Sequence, residues 1–220
     1  MRNLLFDPIK TQSKITNSVL VGFSGGKDSI VTLDLCFKYF KIVKAFFMYL
    51  VPELEFQEKM VNWYENKYNT KIIRLPHFEV SNFLRYGSFT IFDLDVEIIS
   101  INDIYNFLRE KTGINWIAAG ERCADSIVRN AMIKNSGSID YKRGRFYPLA
   151  YWKKQDVLQY IKYKKLYLSP EQKQLGFSFR SLSGREIKII KERYPKDYEK
   201  ILKVYPFIGA GVKRYEQYNK

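Results

Sequence analysis

Cysteine and histidine are nearly absent from this sequence. Two cysteines, Cys36 and Cys123, and one histidine, His77, serve all 220 residues. Two thiols make no disulfide framework and no Cys-x-x-Cys pair, and one histidine makes no His-based metal constellation. No apolar run reaches the ~18 residues of a membrane span. The first residues lack the apolar core and small-residue cleavage site of a secretory signal, so a reducing cytoplasm and no membrane are expected. Low-complexity segments and internal repeats are also missing. Hydrophobic residues make up 46% and aromatic residues 16% of the chain, enough for a substantial core.

Charge of one sign is scarce in one part of the chain. Residues 1–140 hold 17 Lys/Arg against 16 Asp/Glu, whereas residues 141–220 hold 20 against 7. Nearly all of the net +14 therefore lies in the last third. An excess of that size suits a polyanionic partner such as DNA or RNA, or a solubilising lysine-rich surface.

Hydrophobic periodicity divides the chain into alternating strands and helices. Short apolar runs at Val19–Phe23, Ile42–Leu50, 71–75, 116–119 and 146–149 have the character of strands buried on both faces. Helical spacing fills 27–40, 54–68, 101–111, 125–135 and 153–164 between and after them. Residues 77–99 read ambiguously. The pattern predicts an α/β fold: an open, mainly parallel five-stranded sheet with helices on both faces. Residues 1–165 form this domain, and 166–220 a basic helical C-terminal extension, with helices at 185–193 and 196–204 and Pro195 suited to the first turn of the second.

The densest chemistry follows the first strand, in Ser24-Gly25-Gly26-Lys27-Asp28-Ser29. A strand-to-helix turn in a parallel sheet opens at the carboxyl edge, where ligands bind. Two glycines permit positive φ and close backbone approach, while successive amides and the helix N-terminus attract an anion. Lys27 adds a full charge, Ser24 and Ser29 add hydroxyls, and Asp28 can cap the helix or hold a magnesium-bound water. The GxxxxGK[ST] pattern fails, because Val21 stands where its first glycine should and Asp28 where its Ser or Thr should. A second strand-to-helix passage, "GERCADSIVRN", puts Gly120, Arg122, Asp125, Ser126 and Arg129 at a neighbouring strand end. Two guanidiniums there can grip phosphate oxygens bidentately.

SGGKDS after a buried strand resembles the signature of the PP-loop, or N-type ATP pyrophosphatase, superfamily. "GERCADSIVRN" resembles the G-x-R-x-x-[DE]-S-x-x-R segment of its PAPS reductase (phosphoadenylyl-sulfate reductase) branch. "FYPLAYWKKQDVLQYI", with Pro148, Leu149, Trp152, Asp156, Val157, Tyr160 and Ile161 matching, resembles that branch's third block. The resemblance spans about residues 18–180. It implies an adenine nucleotide alpha hydrolase-like fold and a nucleotide site of Ser24, Gly25, Gly26, Lys27, Asp28, Ser29, Gly120, Arg122, Asp125, Ser126 and Arg129. Lys27, Asp28 and Arg122 would carry the catalysis. Lys142, Arg143 and Arg145 would face the same pocket and hold a further anionic group.

Reductases of the branch use a cysteine near the C-terminus, and sulfur-transferring relatives often carry an iron–sulfur cluster. Residues 124–220 contain no cysteine, and serine cannot replace thiolate chemistry. Cys123, beside Arg122, sits at a variable position of the pattern, and Cys36 reads as core. The resemblance implies ATP or PAPS with Mg²⁺, and no iron–sulfur cluster or zinc is expected. Three readings stand: cleavage of ATP between its α- and β-phosphates to activate an acceptor, in sulfur metabolism or nucleic-acid modification; binding or reduction of a sulfonucleotide; and a non-enzymatic nucleotide- or DNA-binding protein. A homo-oligomer or a partner protein is compatible with each.

Overall fold

A computed structural model describes residues 4–170, 172, 179 and 181–218. The sheet has six strands: β1 Ser18–Gly22, β2 Ile42–Tyr49, β3 Ile73–Pro76, β4 Ile117–Ala118, β5 Ile139–Asp140 and β6 Arg145–Phe146. Their spatial order is β3-β2-β1-β4-β6-β5. β1 runs parallel to β2 and β4, and β4 parallel to β6; β5 alone is shown antiparallel, against β6. The α/β fold and mostly parallel sheet are as the sequence implies. The sixth strand is the two-residue β5, too short to leave a periodic trace.

The helices are α1 Asp7–Ile15, α2 Lys27–Tyr39, α3 Glu55–Tyr68, α4 Phe78–Tyr86, α5 Ile101–Thr112, α6 Ile127–Ser136 and α7 Lys154–Lys164, followed by α8 Gly184–Arg193, α9 Pro195–Val204 and α10 Gly209–Tyr218. Three of the starts have visible local causes. His77 accepts the Glu79 amide at the head of α4, Ser183 the Glu186 amide at α8, and Pro195 occupies the first turn of α9. Gly87, with φ of 70°, ends α4 in the left-handed conformation that glycine adopts without strain. Among the described residues no helix is long and apolar enough to cross a membrane.

Two compact units make up the chain. The first comprises Met1–Phe47, Trp63–Ile73 and Leu108–Ser178. Val19, Leu20, Val21, Ile30, Leu33, Phe46, Ile117 and Phe146 are all essentially inaccessible in its centre. Burying each large aliphatic or aromatic side chain is worth about 1.5–3 kcal/mol, so this layer is the main source of its stability. The second comprises Met48–Asn62, Arg74–Phe107 and Phe179–Lys220. It has its own core of Leu50, Val51, Leu54, Ile187, Ile190, Ile201, Tyr205, Ile208 and Val212. Within it Asp197, almost wholly buried, accepts the Glu55 and Phe56 amides and so caps α3 from a distant part of the chain. The C-terminal helices thus share a core with residues from 48–62 and 74–107.

Candidate functional site: the Ser24–Ser29 loop and its arginine

β1 is buried along its middle, and the chain turns at its carboxyl end into Ser24–Gly26. Gly25 has φ of 70°, a value L side chains adopt only with strain, and this reversal folds the loop back on itself. The Ser29 hydroxyl donates to the Gly26 carbonyl at 2.9 Å and accepts the Ser24 amide at 3.2 Å. It also meets the Ser24 hydroxyl at 3.2 Å. The loop is therefore pre-shaped by its own hydroxyls. Gly26 stands at the N-cap of α2 and offers no side chain, so the first amides of α2 have no side-chain cap. Uncapped amides at a helix start are an anion site held open.

β4 ends beside β1, with Leu20 level with Ile117, and carries Gly120 and Arg122 to the same edge. A Cβ on Gly120 would lie 3.3 Å from the Asp28 carbonyl carbon, the Ser29 nitrogen and Thr32 Oγ1. Glycine lets the exit of β4 pass closely over the first turn of α2, where any larger residue would press its Cβ against that turn. Arg122, with a side chain 5% exposed, fills the space beyond. Its Nε lies 3.0 Å from Asp28 Oδ1 as a charge contact without hydrogen-bond alignment, and its Nη2 donates to Asp125 Oδ1 at 2.5 Å. The Arg122 amide binds Asp125 Oδ2, and Arg129 Nη1 reaches the same oxygen at 3.2 Å. Ser126 caps α6 by accepting the Arg129 amide. Asp125 is thus the hub that orients both arginines.

Arg122 Nη1 and Asp28 Oδ1 are buried and have no hydrogen-bond partner among the described residues. A buried, unsatisfied guanidinium N–H costs on the order of 1–3 kcal/mol or more, because its water has been removed without replacement. Lys27 Nζ rests on Asp28 Oδ2 at 2.5 Å, a quarter-exposed pair that holds the amine at the loop. The site can therefore take an anion on amides, ammonium and guanidinium together.

The structure gathers Ser24, Gly25, Gly26, Lys27, Asp28, Ser29, Gly120, Arg122, Asp125, Ser126 and Arg129 at one sheet edge. Lys142 and Arg143 lie elsewhere, in the turn between β5 and β6 at the amino edge of the parallel strands. The Arg143 carbonyl accepts from Arg109 there, and its guanidinium faces Asp140. Arg145 reaches from β6 to Glu121 at 3.1 Å, with its guanidinium over the Tyr147 ring. The third sequence block builds the fold: Trp152 donates to the Leu5 carbonyl, Asp156 accepts the Lys153 amide at the start of α7, and Tyr160 donates to Asp34. Sequence reasoning missed the Asp28–Arg122 contact, since residues 94 positions apart carry no shared local pattern.

The model of the family described as "Phosphoadenosine phosphosulfate reductase domain" matches residues 18–171. The chain belongs to that family, within the PP-loop ATP pyrophosphatase superfamily. An uncharacterized protein of Methanocaldococcus jannaschii is 30% identical over 207 residues, covering 86% of this chain and 42% of its own length. The chain thus spans less than half of that curated relative. Among solved structures, the Candida auris phosphoadenylyl-sulfate (PAPS) reductase in its phosphate complex has a TM-score of 0.53 at 16% identity, covering 79% of this chain and 85% of the reductase. The NH3-dependent NAD synthetase of Campylobacter jejuni, in complex with the nitrate ion, gives 0.51 at 15% identity, covering 99% and 94%. The U34-tRNA thiolase NcsA of Methanococcus maripaludis, with its [4Fe-4S] cluster, gives 0.49 at 14% identity, covering 93% and 80%.

The thiolase corrects one expectation. Neither an iron–sulfur cluster nor zinc was expected from the thiol count, yet the thiolase carries a [4Fe-4S] cluster. Among the described residues, no three His, Cys, Asp or Glu side chains converge on a metal position. Cys36 is wholly buried, which pushes its thiol pKa far up, and Cys123 packs on Ala119, Ile133, Tyr147 and Ala150.

Proposed function

We propose that the chain binds ATP at the Ser24–Ser29 loop and cleaves it between the α- and β-phosphates, activating an anionic acceptor by transfer of AMP. The observation that carries this reading is Arg122 Nη1, a buried cationic donor with no hydrogen-bond partner among the described residues, beside an uncapped helix start and Lys27. Phosphate oxygens supply the missing acceptors. Pyrophosphate leaving on the loop side meets the α2 amides and Lys27. Arg122, fixed by Asp125 and Asp28, stabilises charge growing at the α-phosphorus. Catalysis is electrostatic, by groups held in place before the substrate arrives. The Cys123 thiol packs on an apolar cluster, which supports a reaction without a covalent thiol intermediate over sulfonucleotide reduction. The acceptor we favour is a nucleic acid, given the positive charge carried by residues 141–220.

In the absence of the acceptor water takes its place, so incubation with ATP and magnesium alone is expected to yield AMP and pyrophosphate in equal amounts, measured by anion-exchange separation of the products. ADP and inorganic phosphate would refute the reading. Sulfite release from PAPS with thioredoxin would establish reduction in its place.

A further inference from the structure

Asp34 on α2 accepts two phenols, Tyr68 of α3 at 2.5 Å and Tyr160 of α7 at 2.7 Å. This carboxylate ties the second halves of three helices together within the first compact unit. Burial, followed by the hydrogen bond and charge of Asp34, pushes both phenol pKa values far above their ordinary value, so both remain donors. Phe37 stacks on Tyr68 at 4.2 Å, and Tyr64 donates to the Tyr167 carbonyl just beyond α7. The three helices therefore end side by side.

Lysines surround this junction. Lys38, Lys67, Lys71, Lys162 and Lys164 are exposed, and the Lys71 side chain is 93% so. Three of them lie over aromatic rings: Lys38 over Tyr39, Lys67 over Trp63 and Tyr68, and Lys164 over Tyr163, each at about 5.5 Å. Tyr163 is itself 79% exposed. The acids among them are already engaged. Asp34 holds two hydroxyls, and buried Glu65 accepts the Ile72 amide through Oε1 while its Oε2 lies 3.7 Å from Lys71 Nζ. Lysines in last helical turns complement the helix dipole, which accounts for one cation per helix end. It does not account for a 79% exposed tyrosine among them, nor for cations ranged over rings.

We propose that this face, formed by the C-terminal halves of α2, α3 and α7, docks a single-stranded nucleic acid, with lysines on its phosphates and Tyr163 stacked on a base. The face lies at the amino edge of β1, one length of α2 from the phosphate loop. Thirteen residues at about 1.5 Å each give roughly 20 Å. Docking there anchors a strand at a distance from the reaction centre. The inference deepens the nucleic-acid acceptor proposed above and is tested without ATP, so the two readings fail separately.

The test is fluorescence anisotropy of the full chain with a labelled 20-nucleotide single strand, the matching duplex, and vesicles containing phosphatidylserine. Five lysine–phosphate contacts predict a log–log salt slope near about −3.5 for the single strand. Lys38→Gln with Lys164→Gln should reduce its magnitude by about 1.4 and weaken binding about tenfold or more. Tyr163→Ala should weaken the single strand about tenfold while sparing the duplex. The control pair Lys196→Gln and Lys203→Gln, exposed in the other unit, should change neither. Circular dichroism checks that every variant is folded. The proposal is overturned by vesicle binding without strand binding, by a silent Tyr163→Ala, or by an equal loss in the control pair. Pyrophosphate release measured on the same variants reports on the nucleotide reading alone.

Discussion

Replacing Arg122 by lysine separates charge from geometry at the candidate site. The guanidinium divides its donors among three directions: Nε toward Asp28, Nη2 onto Asp125, and Nη1 into the unpartnered space beside the loop. A lysine ammonium keeps one positive charge between the two carboxylates but cannot point donors along all three fixed lines. The structural cost should be moderate. Removing the cation altogether would leave Asp28 and Asp125 facing each other and cost about 3–5 kcal/mol, whereas lysine retains most of the attraction. The loss on binding should be larger in relative terms. A charge-assisted hydrogen bond to a phosphate oxygen is worth about 1.5–3 kcal/mol. At about 1.4 kcal/mol per decade, nucleotide affinity should fall roughly 10- to 150-fold. Calorimetric titration with a non-hydrolysable ATP analogue measures this, with the melting temperature as a check on folding. Affinity within twofold of the parent, in a variant that melts normally, would refute the assignment of Nη1 to a phosphate.

Other expectations are brief. Lys27→Met should leave the melting temperature nearly unchanged, since its ion pair is partly exposed, while lowering pyrophosphate release by about 10²–10³. Gly184→Ala should destabilise by about 1–3 kcal/mol, because its Cβ would stand 2.3 Å from the Gly211 oxygen. Differential scanning calorimetry should show a fall of roughly 2–12 °C. Burial, partly opposed by Glu79, lowers the His77 pKa from 6.5. The unfolded chain then takes up the proton first, so this contribution to stability is complete above about pH 6.5 and declines as pH falls below it. The melting temperature should drop between pH 7.5 and 5.5, and His77→Asn, which preserves the cap, should lessen that drop.

The parts of the fold legible in sequence are those with unambiguous local physics. β1 and β2 are apolar runs, and a strand covered on both faces admits little else. The turn after β1 was legible because two glycines between an apolar run and a helical pattern mark a strand-to-helix passage, which the structure has. α1 escaped, since Asp7–Ile15 offers only Pro8 and Ile9 as apolar buried positions and its third, Gln12, is polar. α4 escaped because its first cap is a histidine, an uncommon N-cap residue whose ring must be turned by the surrounding structure. Asp34 could not be recognised at all. In sequence it is one polar residue in an apolar helix, and its two phenols lie 34 and 126 residues away.

Charge shows most clearly what one dimension hides. Counted along the chain, the basic residues form one block after residue 140, and the resemblance aimed Lys142 and Arg143 at the nucleotide pocket. Folding divides that block. Lys142 and Arg143 go to the amino edge of the sheet, Arg145 is engaged by Glu121, and Lys162 and Lys164 join Lys38, Lys67 and Lys71 from the nearly neutral part of the chain. α8–α10 carry another group, from Arg185 to Arg214, in the second unit. A net charge confined by counting to the last third is therefore distributed in space by where helices end. The electrostatic unit that a polyanion would meet is a set of three helix termini joined through Asp34, and no window along the sequence contains it.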